Sequence, residues 1–193
     1  MFTEPIRDKK HIKLLVNYYL NKKPNTRNYL LINMGLYTAL RISDQLAMRW
    51  RDVYDFEKNE VKTHLRLTEQ KTGKPKVIAV NKELAHAIKL HLLSRGGCNS
   101  VPDTEFLFKN NRKNNAAISR VQAWRIIKEA GDEIDGHVSC HSLRKTFGYH
   151  AWRRGEAPSV IMDIFNHSSY AITRRYLGIT QDDRDKVYLT AVF

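Results

Sequence analysis

Cysteine is scarce in this chain of 193 residues: Cys98 and Cys140 are the only two. No CxxC pair and no Cys/His ligand spacing accompanies them, which argues against a zinc site and fits two reduced thiols in a cytosolic protein. Long apolar runs are missing too. None approaches the roughly 18 residues that span a bilayer, and the charged start MFTEPIRDKK is not followed by a signal-peptide core. The reading is a cytoplasmic protein with no membrane partner. Five prolines and nine glycines form no linker-like stretch, and no repeat or low-complexity tract appears, so one domain is expected over residues 1–193. No Gly-rich phosphate loop implies ATP. No paired carboxylates have convincing spacing for a metal, and the Asp182-Asp183-Asp185 cluster suits a helix N-terminus instead. Acidic residues are outnumbered, 20 against 33 Lys+Arg. The resulting net charge of +13 and pI near 9.8 suit a polyanionic partner, of which nucleic acid is the commonest.

What is present reads as mostly helix. Ile12, Leu15, Val16 and Tyr19 recur at helical spacing over 9–21, and Leu30, Met34 and Tyr37 share a face over 26–40, with Thr26 as N-cap. The period changes to two over 61–68, where Val61, Thr63, Leu65 and Leu67 alternate with polar residues. KVIAV (76–80) reads as a second strand, joined to the first by the Lys71-Thr72-Gly73-Lys74 turn with Gly73 at positive φ. A strand near 52–56 completes a three-stranded antiparallel sheet. Helices follow at 82–94, at 119–130 with a Val121, Trp124, Ile127 stripe, and at 142–154. Others follow from Pro158, over 169–177 and over 181–191. The class is α+β, mostly α-helical with a small three-stranded antiparallel sheet.

Several charged and phenolic groups stand out from this background. Arg41 lies between Leu40 and Ile42 at a helix end, a setting for a partly buried guanidinium that needs an acidic neighbour or a phosphate. Asp44, one turn on, is the natural neighbour. His141 and Arg144 are spaced to share a face at a helix start. His167 follows the end of an apolar helix, where Asn166 is suited to the left-handed conformation. Tyr176 follows Arg174 and Arg175, either of which can promote the phenolate or contact a DNA backbone.

In order, TALRISD (38–44), EQKTGK (69–74), HSLR (141–144) and NHSSYAITRRYLGI (166–179) resemble the catalytic domain of the tyrosine recombinase (phage integrase) family, from about residue 10 to about 180. The resemblance implies that Arg41 and Arg144 clamp a phosphate as negative charge builds on its oxygens. Tyr176 would be the nucleophile and Lys71 the general acid for the departing 5′ oxygen, with Asp44 in support. It favours His141 as proton acceptor and His167 as hydrogen-bond donor to the phosphate, a division the residues themselves leave open. Asn166 departs from the family pattern, which usually places glycine there.

The implied fold is the recombinase catalytic domain. The implied partners are double-stranded DNA, a homotetramer on DNA and accessory DNA-bending proteins, with no cofactor and no metal. Most members carry an N-terminal helical domain that clamps the other face of DNA, and Arg41 comes too early to leave room for it. A fragment and a naturally short member both fit. A catalytically silent DNA-binding regulator and a type IB topoisomerase are the rival classes. The apolar tail Val187–Phe193 either docks on a neighbouring subunit or folds back. Phosphate contacts should dominate affinity, so binding measured across a salt series is expected to weaken steeply; a flat response would remove the DNA role.

Overall fold

A computed structural model describes residues 3–112, 116–134, 136–179 and 181–191. Helix α1 (Lys9–Asn17) starts at Asp8, whose side chain accepts from the amide of Lys10, and its last turn widens into a π-helix over Tyr18–Lys22. Helix α2 (Thr26–Thr38) is capped not by Thr26 but by Asn25, which accepts from the Asn28 amide at 3.0 Å. The Thr26 hydroxyl instead bonds Nδ1 of His91, 3.0 Å away. Helix α2 is the central element: residues 28–36 are buried around its whole circumference, and it packs against α5 (Lys82–Ser94) and α7 (Cys140–Arg153).

After α2 come two short helices, α3 (Ile42–Ala47) and α4 (Trp50–Val53). The sheet region keeps its antiparallel character but not the expected single sheet. Strands β1 (Tyr54–Asp55) and β2 (Glu60–Val61) form one ladder, and β3 (His64–Thr68) and β4 (Pro75–Ala79) form another. The alternating segment bends at Lys62 and Thr63. The Lys62 amide donates back to Val53 while the Thr63 carbonyl accepts from Val80, so its two halves serve different partners. The segment before β1 shortens because Asp52 accepts from the Arg49 amide and opens α4 at Trp50.

Helix α6 (Arg120–Gly131) is present, but its buried face is Ala123, Ile126, Ile127 and Ala130. Of the expected stripe only Ile127 is inside; Val121 and Trp124 are exposed. The small Ala123 and Ala130 let this face approach its neighbours, which turns the tryptophan outward. Helices α8 (Pro158–Phe165), α9 (Tyr170–Leu177) and α10 (Gln181–Thr190) complete the chain.

Two cores result. The larger gathers α1, α2, α5 and α6 around residues such as Leu15, Leu31, Trp50 and Phe108. The smaller, of Ala39, Ala151, Ile161, Phe165 and Leu177, lies directly beneath α8 and α9. Its packing is tight: a Cβ built on Gly148 of α7 would lie 2.6 Å from the Phe165 ring. Gly148→Ala is therefore expected to lower stability by about 1–3 kcal/mol, the usual cost of overpacking, despite the better helix propensity of alanine; thermal unfolding would measure it.

Candidate active site

Helix α2 ends at Thr38, and Ala39 turns the chain in the left-handed conformation, with φ 55°. Helix α8 ends the same way at Asn166, with φ 51°, as its residue type suggested. A helix end leaves carbonyls without intrahelical partners and carries partial negative charge. Arg144, only 2% exposed, supplies the donors. Its guanidinium bonds the carbonyl of Ala39 and, at 2.7 Å, that of Phe165. The same fork lies over the Phe165 ring, 4.7 Å from its centroid. Its Nε–H has no hydrogen-bond partner among the described residues.

Three other functional side chains leave from these points. Arg41 follows the left-handed turn of α2 and reaches the surface. His167 follows Asn166. His141 sits in the first turn of α7, whose N-cap Ser139 accepts from the amides of His141 and Ser142. Tyr176 is on α9, anchored by the fully buried Thr173 and Leu177. All six residues singled out above, Arg41, Lys71, His141, Arg144, His167 and Tyr176, line one open cleft of about 1020 Å³.

The Tyr176 hydroxyl is hydrogen-bonded to Nε2 of His141. The His167 ring packs edge-on against Tyr176, its centroid 4.5 Å away. Nδ1 of His167 shares a 3.0 Å hydrogen bond with the Thr173 hydroxyl, which leaves Nε2 for the cleft. Burial raises the Tyr176 pKa, opposed by the charges of Arg144 and Arg41. The resting phenol is therefore neutral and needs a proton acceptor. His141 meets that need. One of its edges is open to solvent, while the loss of water on the other, with Arg144, Lys145, Arg41 and Lys71 nearby, lowers its pKa to about 4. The ring is uncharged at neutral pH, and with its proton assigned to Nδ1 it accepts at Nε2. Burial, Arg144 and Arg41 likewise lower His167 to about 4.

Two expectations need correction. Asp44 is not the acidic neighbour of Arg41. Its Oδ1 accepts from the Gln70 amide at 2.9 Å, so it braces the segment leading to Lys71. The partner of Arg41 is Glu69, fully buried, whose Oε2 accepts from Arg41 Nη1 at 2.7 Å. Nor do Arg174 and Arg175 act on the phenol. Both are exposed; the cations that lower the phenol's pKa are Arg144 and Arg41, and Lys145 Nζ lies 5.5 Å from its ring centroid.

Among the hairpin lysines, Lys71 and Lys74 are exposed and line the cleft, whereas the side chain of Lys76 is only 8% accessible. Nζ of Lys76 donates to the Ile164 carbonyl at 2.5 Å and lies 3.5 Å from Glu69. That commitment to α8 and Glu69 takes Lys76 out of the cleft and leaves Lys71 and Lys74, on either side of the Thr72-Gly73 turn (Gly73 φ 67°), as the hairpin lysines that line it. Glu69 and the cleft-lining Arg120 and Trp124 were not found from sequence. Glu69 adjoins the KTG turn, but nothing local marks its burial, and Trp124 fits a helical apolar stripe.

The family model for the phage integrase family matches residues 7–182. The probable integrase/recombinase YoeC of Bacillus subtilis (strain 168) is 38% identical over 186 residues, 96% of this chain and 94% of that protein. Several proteins named tyrosine recombinases match over about half of their own length. A crystal structure of XerA recombinase superposes with a TM-score of 0.77 over 99% of this chain and 66% of that one, at 21% identity. The XerH site-specific recombinase, solved bound to its palindromic difH substrate, gives 0.70 over 98% and 54%, at 15% identity. The chain belongs to the phage integrase family, the tyrosine recombinases, and has the mostly helical α+β fold of their catalytic domain.

The low histidine pKa values carry a pH dependence. His141 and His167 each fall from 6.5 to about 4 on folding, and the buried His91 does the same. Between those pH values the unfolded chain binds more protons, so stability is intact above about 6.5 and is lost as pH falls toward 4. The melting temperature should drop across that window, and His141→Gln should make the drop shallower.

Proposed function

We propose that this chain cuts and rejoins duplex DNA as a site-specific recombinase through a 3′-phosphotyrosine. Tyr176 Oη attacks the scissile phosphorus and the bond to the 5′ oxygen breaks. His141 Nε2 takes the phenolic proton. Lys71 gives a proton to the departing 5′ oxygen, a role suited to an ammonium on an exposed turn. Arg41 and the free Nε–H of Arg144 meet the charge that grows on the non-bridging oxygens, and His167 Nε2 donates to one of them. Asp44 supports the hairpin segment. A 5′-hydroxyl from a second strand then reverses the step. The energy of the broken bond is kept in the phosphotyrosine, so the scheme calls for no cofactor and no metal.

The observation that carries this reading is the hydrogen bond from the nucleophile to a neutral imidazole in a cleft lined by both arginines and Lys71. Removal of one preorganised donor from such a site costs on the order of 10²–10³ in rate.

Recombination joins two sites, so the working unit on DNA is a homotetramer, with accessory DNA-bending proteins in some settings. The exposed Val187, Tyr188 and Leu189 of α10, 67%, 80% and 84% accessible, support docking on a neighbouring subunit over folding back. Val192 and Phe193 lie outside the described residues. Among the described residues no helix is long and apolar enough to cross a membrane, and the place of action is the cytoplasm of a bacterium, on chromosomal or phage DNA.

In EDTA, the wild-type chain is expected to relax supercoiled plasmid and to be trapped covalently on it, whereas Tyr176→Phe does neither. Equal activity in both would eliminate Tyr176 as nucleophile.

A further inference from the structure

Glu69 lies just past the end of β3 and is fully buried. Its Oε2 accepts from Arg41 Nη1 at 2.7 Å and from the Thr72 hydroxyl at 2.9 Å. Its Oε1 faces Lys76 Nζ at 3.5 Å. That Nζ is also bonded to the Ile164 carbonyl, near the end of α8. One carboxylate thus touches the guanidinium after α2, the turn residue beside Lys71 and the lysine that caps the helix before His167. Burial alone would hold its proton on. The Asn166 amide, Arg41, Thr72 and the charge of Lys76 outweigh that and bring its pKa to about 2, so it is ionised at neutral pH. Its charge in turn acts on Arg144, Lys76 and His167, favouring the protonated form of each.

A buried carboxylate amid several cations is far from neutral in its effect. Without it, Arg41, Lys76 and Arg144 would repel one another in a medium that screens poorly. The Arg41 side chain has no other hydrogen-bond partner among the described residues, so the contact to Glu69 sets which edge of its fork faces the cleft.

We infer that Glu69 is a positioning residue for the cleavage step, orienting Arg41 toward the scissile phosphate and holding the Lys71 turn and the His167 turn in register. It does not touch DNA and acts through the groups that do. The inference rests on the strand-cleavage reading above, and the test separates the two.

The full chain would be compared as wild type, Glu69→Gln, Glu69→Asp and Tyr176→Phe. Three quantities would be read: affinity for duplex DNA, the rate of covalent trapping on supercoiled plasmid in EDTA, and melting temperature. Glu69→Gln keeps the shape and removes the charge. It should slow trapping by about 10- to 100-fold, the scale on which outer partners of a site's ligands act. Its DNA affinity should be equal or tighter, because a negative charge is gone. Glu69→Asp keeps the charge and should recover part of the rate. Trapping by Glu69→Gln at the wild-type rate would overturn the proposal, as would equal loss of rate and affinity or Glu69→Asp being the slower of the two. A wild type that Tyr176→Phe matches would instead overturn the cleavage reading itself. If Glu69→Gln does not fold, Thr72→Val, which alters an exposed turn and releases the same oxygen, takes its place: slower trapping supports the role and an unchanged rate overturns it.

Discussion

Arg144 is the constraint on which the rest of the site depends. Removing a guanidinium from water costs several kcal/mol unless its donors are met, and here its two terminal nitrogens are met by the carbonyls that two helix ends leave unpaired, while Nε–H stays open for a ligand. The arginine of α7 therefore ties the end of α2 to the end of α8. Once that joint exists, the positions of Arg41, His167 and His141 follow within a few bonds, because each leaves the chain next to one of the joined points. The smaller core enforces the same arrangement from below. Phe165 packs so close to Gly148 that no side chain fits between α7 and α8, and Leu177 seats α9 against them.

The electrostatics follow from this geometry. A site built around a buried cation, with Arg41 and Lys76 beside it, disfavours any further positive charge. Burial first, and these cations second, hold the imidazoles of His141 and His167 neutral, although free histidine would be partly protonated near neutral pH. Neutrality makes His141 an acceptor for the phenolic proton. The same cations oppose the rise that burial gives the Tyr176 pKa. One field thus prepares both ends of the proton transfer. Glu69 limits that field from within, where bulk water cannot.

Helix ends carry much of this architecture. Ala39 and Asn166 both adopt left-handed φ, but for different reasons. Asn166 is a residue type that tolerates the conformation, so its role is visible in the chain. Ala39 is not. It is fully buried, and its carbonyl is bonded by Arg144, so the tertiary contact holds a backbone angle that the residue alone disfavours. The capping of α7 by Ser139 is the local counterpart, a serine whose side chain meets two orphan amides at the helix start.

What the amino-acid order determined by itself was the helical content and the hairpin with its Gly73 turn, which depend on local periodicity and turn chemistry and survive as short-range relations in the folded chain. The cleft residues were marked in the sequence by the resemblance of their motifs to a known family, and it is the fold that brings them together. Decisions that depend on long-range approach belonged to the tertiary structure. Whether the alternating segment paired as one strand or bent at Lys62 and Thr63 depended on which partners reached its two halves. Whether Trp124 faced the core or the cleft depended on the small residues that let α6 pack closely. The acidic partner of Arg41 was decided the same way. Asp44 is near in sequence, but its Oδ1 accepts from the Gln70 amide and not from Arg41, and the fold brings Glu69 to the guanidinium from another element. A buried charge finds its counterion by distance in space, and sequence separation carries no information about that distance.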